Sequence, residues 1–314
     1  MIPVTTIGGY LGAGKTTLIN HLLRNPDGQK LAILVNEFGA LSIDEDLIEA
    51  QDDDLISIAG GCICCSFGDN LVGALMDLMQ RQPRPDHIVI EASGVAIPGA
   101  IAASLSLIQG LKPNGVVVLA DSETVRDLSN DTYLGDTILR QLKDADLVIA
   151  TKTDLVAESW SHDLGNWLAT VSPRAALVHA IHGHVSSDII LGPRFPEMPP
   201  EQSRHSDSLF KSKVFPISRP LDLKALVTGL TSPELGITRA KGFVLTPTGE
   251  TVLVQVIGRR AETSTSPNRS QHAVVCIGPA HTINTQELDR LFNSVSLCPT
   301  RGSVYLKMEA CKFS

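Results

Sequence analysis

Gly9-Tyr10-Leu11-Gly12-Ala13-Gly14-Lys15-Thr16 stands between the apolar run Val4–Gly8 and a helical pattern over Lys15–Arg24. It fits G-x-x-x-x-G-K-[ST], and a strand before it with a helix after it is the context that gives the pattern meaning. Glycines let the backbone wrap phosphates with its N–H groups, and the helix N-terminus adds partial positive charge. Lys15 then reaches the β- and γ-phosphate oxygens and Thr16 holds Mg²⁺, with Gly9, Gly12, Ala13, Gly14 and Thr17 completing the cradle. The expected ligand is a nucleoside triphosphate.

Outward from this loop, strand and helix patterns alternate. Short apolar runs recur at Leu31–Val35, Leu55–Ile58, His87–Ile90, Val116–Leu119, Leu147–Ala150 and Ala175–Val178. Helical patterns fall at Asn70–Arg81, Pro98–Ile108, Thr132–Lys143 and Ala157–Ala169. Continuous β-branched runs suit strands buried on both faces, so the reading is an α/β three-layer sandwich with a mainly parallel sheet. The pattern stops near Gly192–Ser208, where Pro193, Pro196, Pro199 and Pro200 sit among polar residues as a linker would. This divides the chain into a nucleotide domain at 1–192, a linker at 193–207 and a second domain at 208–314.

The second domain reads as strands at Leu209–Phe215, Ile237–Leu245, Thr251–Ile257 and Ala273–Ile277, helices at Leu221–Leu230 and Thr285–Asn293, and a last strand near Ser303–Lys307. That order predicts a small α+β, ferredoxin-like domain with helices on one face of an antiparallel sheet. The Ser-, Thr- and Asn-rich stretch Ala261–Gln271 reads as a hairpin loop.

Composition bounds the functional classes. With 314 residues, a net charge of -8 and no run of Lys or Arg, the chain has no electrostatic footprint for nucleic acid or an anionic membrane. No apolar run reaches the ~18 residues of a transmembrane helix. The start, Met1-Ile2-Pro3-Val4, enters a strand with no export signal. Six cysteines, three of them clustered, suit free thiols in a reducing compartment, so a cytoplasmic location is expected.

Three further segments carry chemistry. Glu91-Ala92-Ser93-Gly94 ends a strand, where Glu91 can serve the Mg²⁺ shell and Gly94 the γ-phosphate. Thr151-Lys152-Thr153-Asp154 follows another strand at the sheet edge where bases bind. Asp154 offers two oxygens to the N1–H and 2-amino donors of guanine, and the Lys152 stem can cover the base face; an exposed helix N-cap is the plainer role for Asp154. Cys62-Ile63-Cys64-Cys65 follows Gly60-Gly61, a turn able to aim three thiolates at one point, with Glu37 as the topologically nearest fourth ligand. His179, His182 and His184, with His205 in the linker, form a candidate metal-acquisition group, while Cys276, Cys298 and Cys311 lie among apolar residues as packing groups.

On GGYLGAGKTT at Gly8–Thr17, NEFG at Asn36–Gly39, GCICC at Gly61–Cys65, EASG at Glu91–Gly94, TKTD at Thr151–Asp154 and Arg239-Ala240-Lys241-Gly242, the chain resembles the CobW-like metal-handling P-loop GTPases. The resemblance covers nearly the whole chain. It implies a GTPase that uses GTP/GDP and Mg²⁺, binds Zn²⁺ or in some branches Co²⁺ at the cysteine motif, and delivers it to a client metalloprotein. Ala40, Gly68 and Ile97 stand where many relatives carry Glu, Arg and Asp, and Thr151 where many GTPases have Asn. Glu37 and the cysteines would lie between two γ-phosphate-sensing segments, so that hydrolysis alters metal affinity. No in-cis arginine finger is evident, so slow intrinsic turnover is expected. The alternatives are a metal-binding regulatory module that keeps nucleotide as a structural ligand, and a P-loop kinase or ATPase with incidental cysteines. The second domain is assigned to client recognition or to contact in a homodimer.

Overall fold

The structure is a computed structural model that describes residues 1–26, 28–36, 55–58, 69–193, 209–267, 269 and 271–297. Its first half holds β1 (Ile2–Gly9), α1 (Lys15–Arg24), β2 (Leu31–Asn36), β3 (Leu55–Ile58), α2 (Asp69–Gln80), β4 (His87–Glu91), α3 (Pro98–Leu105) and β5 (Leu111–Asp121). There follow α4 (Val125–Ser129), α5 (Gly135–Asp144), β6 (Leu147–Thr151), α6 (Glu158–Val171), β7 (Ala176–Ala180) and α7 (Ser187–Leu191). The strands form one seven-stranded sheet, ordered β3-β2-β4-β1-β5-β6-β7, with every pairing parallel.

The apolar runs explain the layers. Leu71, Leu75 and Leu78 of α2 and Ile101 and Leu105 of α3 bury against Val4, Leu34, Ile88 and Ile90. Ile138 and Leu142 of α5 and Leu164 and Leu168 of α6 continue the same layer over Val116, Val118, Val148 and Ala150. The opposite face takes Leu18, Ile19 and Leu22 of α1 beneath Ile7, Ile33, Val89 and Val117. Alternate residues thus point to opposite layers, and both faces are dry.

The second half comprises β8 (Phe210–Pro216), α8 (Leu223–Leu230), β9 (Arg239–Leu245), β10 (Thr251–Ile257), β11 (Arg260–Ser266), β12 (Ala273–Pro279) and α9 (Thr285–Ser294). Its sheet is antiparallel, ordered β11-β10-β9-β12-β8. One face buries Val254, Val274 and Cys276 under Leu226, Leu230, Leu288 and Phe292 of α8 and α9. The other face is covered in part by the first half. Ile257, Val275 and Ile277 join the core of the first half, packed with Val178, Ile189 and Ile190. The second sheet therefore takes the place beside α1 that a further helix would fill, and the two halves share one apolar layer.

Two expectations need correction. Ala261–Gln271 does not form a loop throughout, because Arg260–Ser266 is a strand paired with β10 from Ile257↔Arg260 to Thr251↔Ser266. Thr and Ser at an edge read as loop by polarity, yet Thr is a good strand former where one face is wet. The run Lys112-Pro113-Asn114-Gly115, rich in turn formers, lies inside β5, which begins at Leu111 and not at Val116. Val4 pairs with Pro113 but Thr5 with Gly115, so Asn114 is the extra residue of a bulge, a place that tolerates Pro and re-aims a side chain. The predicted strand Ser303–Lys307 lies outside the described residues.

Candidate nucleotide site and the seam behind it

At the carboxyl ends of the strands the predicted nucleotide residues converge. Gly14 caps α1 in the left-handed region, φ 96°, a conformation an L side chain resists, and so turns the loop into the helix. Lys15 is buried, and its Nζ donates to Gly9 O at 3.1 Å and Tyr10 O at 3.4 Å, inside the curve of its own loop. Thr16 is half-buried beside it, and Thr17 and Gly12 face solvent. Glu91, 3% exposed, ends β4 in register with Ile7 of β1, and Ala92 N–H donates to Ile7 O at 2.8 Å. The next turn closes onto the phosphate loop: a Cβ on Gly94 would meet the Leu11 backbone N at 2.9 Å and its side chain at 2.6 Å. Ser93 Oγ is buried in that turn with no hydrogen-bond partner among the described residues.

The loop at Thr151–Asp154, predicted to receive the base, is joined to the Gly9–Thr16 loop by a hydrogen bond. Thr151 Oγ1 donates to Ala13 O at 2.9 Å, so the hydroxyl at the position where many GTPases have Asn ties the two loops together. Lys152 adopts φ 56°, ψ 33°, and a short 3₁₀ turn at Thr153–Leu155 follows. Asp154 is exposed in that turn. It is not a helix N-cap, since α6 begins at Glu158 with Ala157 as its cap. Lys152 Nζ lies 2.6 Å from Asp121 Oδ2 at the end of β5. Sequence reasoning missed Asp121; the available signal was an acid closing an apolar strand one strand away from Lys152.

The donor set fits a Mg²⁺-bound nucleoside triphosphate: a glycine-rich loop on a helix N-terminus, an ammonium within it, a hydroxyl next to that ammonium and a buried carboxylate on the adjacent strand. Glu37, Cys62, Cys64 and Cys65 lie outside the described residues, but their points of departure do not. Asn36 of β2 pairs with Ile58 of β3, and Val35 pairs with Glu91, so both segments leave the sheet at the edge that carries the nucleotide residues.

The histidine group does not assemble. His184 packs edge-on to His21 of α1, ring centroids 4.9 Å apart, while His182 is exposed in a left-handed turn at φ 51°. Among the described residues no set of three or more His, Cys, Asp or Glu side chains is placed to hold a metal. Cys276 is fully buried in the second core, and burial pushes its thiol well up, as a packing role requires. Cys298, Cys311 and His205 lie outside the described residues.

The amino ends of the same strands form a buried polar seam with the second half. Arg239 is 2% exposed and donates from Nε to Ile189 O at 2.7 Å, from Nη1 to Asn114 O at 3.2 Å and from Nη2 to Ile190 O. The bulged Asn114 donates in turn to Thr5 Oγ1 and Leu191 O, both at 3.0 Å. Thr5 Oγ1 lies 2.8 Å from His87 Nε2, the direction of that bond following the ring's tautomer. Burial, helped by the Arg239 and Lys241 charges, pushes His87 from 6.5 down to about 3, so the imidazole is neutral. Asp146 accepts Val116 N–H at 2.9 Å and pairs with Arg260 at 3.3 Å, burial raising its carboxyl and Arg260 drawing it back.

Among the described residues no helix is long and apolar enough to cross a membrane. Residues 3–179 match the model of the CobW/HypB/UreG nucleotide-binding domain, and residues 210–296 that of the cobalamin synthesis protein CobW C-terminal domain. The chain is 30% identical over 307 residues to a zinc chaperone CobW of Sinorhizobium sp., covering 83% of this chain and 86% of the relative. It is 34% identical over 197 residues to the zinc chaperone YjiA of Escherichia coli (strain K12), covering 60% of each. Among solved structures, Zn(II)-bound YjiA GTPase from E. coli superposes with a TM-score of 0.47 at 23% identity, covering 94% of this chain and 99% of that one. A phosphate loop in this setting, followed by this second half, makes the chain a member of the CobW family of P-loop nucleotide-binding proteins.

Proposed function

We propose that this protein is a cytoplasmic GTPase metallochaperone that binds GTP at Gly9–Thr17, Gly94 and Thr151–Asp154, hydrolyses it, and thereby loads and releases Zn²⁺ for a client metalloprotein. One observation carries the coupling. The segments bearing Glu37 and Cys62-Ile63-Cys64-Cys65 leave the sheet from the paired positions Asn36 and Ile58, the first on the strand next to the one that ends in Glu91 and the second one strand further out. Neighbouring strands are about 4.8 Å apart and four extended residues span up to about 14 Å, so a thiolate site and a γ-phosphate sensor fall within one reach. The zinc-chaperone names of the relatives support the choice of Zn²⁺.

Each residue then has a task. Lys15 leaves its carbonyl partners for the phosphate oxygens, and the loop N–H groups hold the charge that develops during transfer. Mg²⁺, held by Thr16 with Glu91 in its outer shell, would neutralise charge between the β- and γ-phosphates. Asp154 selects guanine. Thiolates of Cys62, Cys64 and Cys65 with the Glu37 carboxylate take Zn²⁺ as cargo, and the second half recognises the client.

The test is GTP turnover by the purified protein with and without Zn²⁺, beside Lys15→Ala. Slow turnover in the unaltered protein, raised by Zn²⁺ and reduced at least about 100-fold in the variant, is the expected result. Turnover indistinguishable between the two proteins would defeat the reading.

A further inference from the structure

The loop assigned to the base contains a strained residue with a specific fastening. Lys152 is one of two non-glycine residues with positive φ among those described, and a long L side chain is disfavoured in that region. Contacts that exist only in this conformation must offset the strain. Leu155 N–H donates to Lys152 O at 3.1 Å, which closes the turn that brings Asp154 out to the edge. Nζ of Lys152 is held at 2.6 Å by Asp121 Oδ2.

Asp121 is itself fixed. It closes β5 in register with Thr151 of β6, and its side chain is 11% exposed. Its second oxygen accepts the Glu123 N–H at 3.0 Å, so the carboxylate cannot rotate without releasing the next turn. Ser122 N–H donates to Thr151 O at 3.0 Å, and Trp160 Nε1 of α6 donates to Ser122 O at 2.9 Å. The ends of β5 and β6 are thereby cross-braced on the backbone side, and the Asp121–Lys152 pair adds an ion pair to the frame. A charge-assisted bond of this length, with one partner largely removed from water, is stronger than an exposed surface pair.

We propose that Asp121 is a positioning residue for base selection: it holds Lys152 in the left-handed turn and, through that turn, fixes the carboxylate of Asp154 against guanine. The inference rests on the reading above that Thr151–Asp154 receives the base. Without the Asp121 charge the Lys152 amine has water as its alternative, the strain is no longer offset, and the turn relaxes. Guanine suffers more than adenine, because its N1–H and 2-amino group need both oxygens of one oriented carboxylate. Phosphate binding at Gly9–Thr16 involves neither residue, so the loss falls on discrimination between bases and spares the affinity common to both.

The experiment is a fluorescence titration of the full chain with labelled GDP and labelled ADP, on the unaltered protein, Asp121→Asn, Lys152→Met and the double variant, each also taken through a thermal melt. The unaltered protein should prefer GDP. Asp121→Asn should lose about tenfold in GDP affinity while ADP affinity stays within about twofold. Lys152→Met should lose a similar amount, and the double variant no more than the worse single one, because both remove the same tie. A merely structural salt bridge would lower the melting temperature and leave the GDP/ADP ratio alone, and that result overturns the proposal. So does a double variant whose losses multiply. If Asp121→Asn fails to fold, Lys152→Met, at a part-exposed position, still decides: an unchanged ratio there refutes the role. An unaltered protein that binds GDP and ADP alike removes the guanine reading itself, and this inference with it, a result distinct from loss in the variants alone.

Discussion

At the carboxyl ends of β1, β4 and β6 the chain carries Lys15, Glu91 and Asp154. At the amino ends of the same sheet Thr5, His87 and Asp146 are 0%, 2% and 7% exposed and bound to the second half through Asn114, Arg239 and Arg260. One edge gathers the predicted nucleotide residues, and the other ties its polar groups to the second half. A parallel sheet makes this division natural, because all its strands point the same way and each edge has one kind of chain end. The second half is thus anchored on the strands that lead to the phosphate loop and to Glu91, but at their far ends.

The sharpest way to break this contrast is at Arg239. Arg239→Met keeps most of the volume and deletes the guanidinium donors to Ile189 O, Ile190 O and Asn114 O. The expected loss is about 3–5 kcal/mol, measured by urea unfolding, since breaking a buried charged network costs the desolvation of what remains. GDP affinity of the folded protein should change little. A large loss of GDP affinity with unaltered stability would mean that the seam belongs to the nucleotide site.

A smaller effect follows from His87. Its folded pKa of about 3 lies below the unfolded value of 6.5, so as pH falls the unfolded chain takes up the proton first. Stability from this group is complete above pH 6.5 and is lost from there downward, at up to about 1.4 kcal/mol per pH unit. The raised carboxyl of Asp146 has the opposite sign and the buried, lowered imidazole of His179 the same sign, so in the window between about pH 5 and 6.5 the share of His87 is the slope that its substitution removes. Unfolding free energies across that window should fall with acid in the unaltered protein and flatten in His87→Gln. Parallel slopes would show that the ring is not buried as a neutral group.

These two regions also differ in how far the sequence reveals them. Gly9–Thr16, Glu91 and Thr151–Asp154 are local patterns at predicted strand ends, and a parallel sheet brings such ends together without further information. The seam depends on partners remote in sequence, Arg239 with Ile189 and Asn114, or Arg260 with Asp146, and no local pattern pairs them. Pro113-Asn114-Gly115 carries the composition of a turn, yet tertiary pairing with Val4 and Thr5 keeps it in a strand and uses Asn114 as a bulge. Arg260–Ser266 has the polarity of a loop and the geometry of an edge strand. The Asp121–Lys152 tie sits between these cases, since both residues lie just beyond predicted strands but only the register of β5 with β6 sets them face to face. The proline-rich stretch near Gly192–Ser208 marks a division in the sequence but does not reveal that Ile257, Val275 and Ile277 pack into the core of the first half.

The claim that matters most is that nucleotide state sets metal affinity through the edge where Asn36, Ile58 and Glu91 end their strands. Zn²⁺ affinity measured by competition with a chelating dye, once with a nonhydrolysable GTP analogue bound and once with GDP, addresses it directly. The account predicts affinities that differ by at least about tenfold between the two states, and loss of that difference in Cys64→Ser and Cys65→Ser. Equal Zn²⁺ affinities in the two nucleotide states would contradict it.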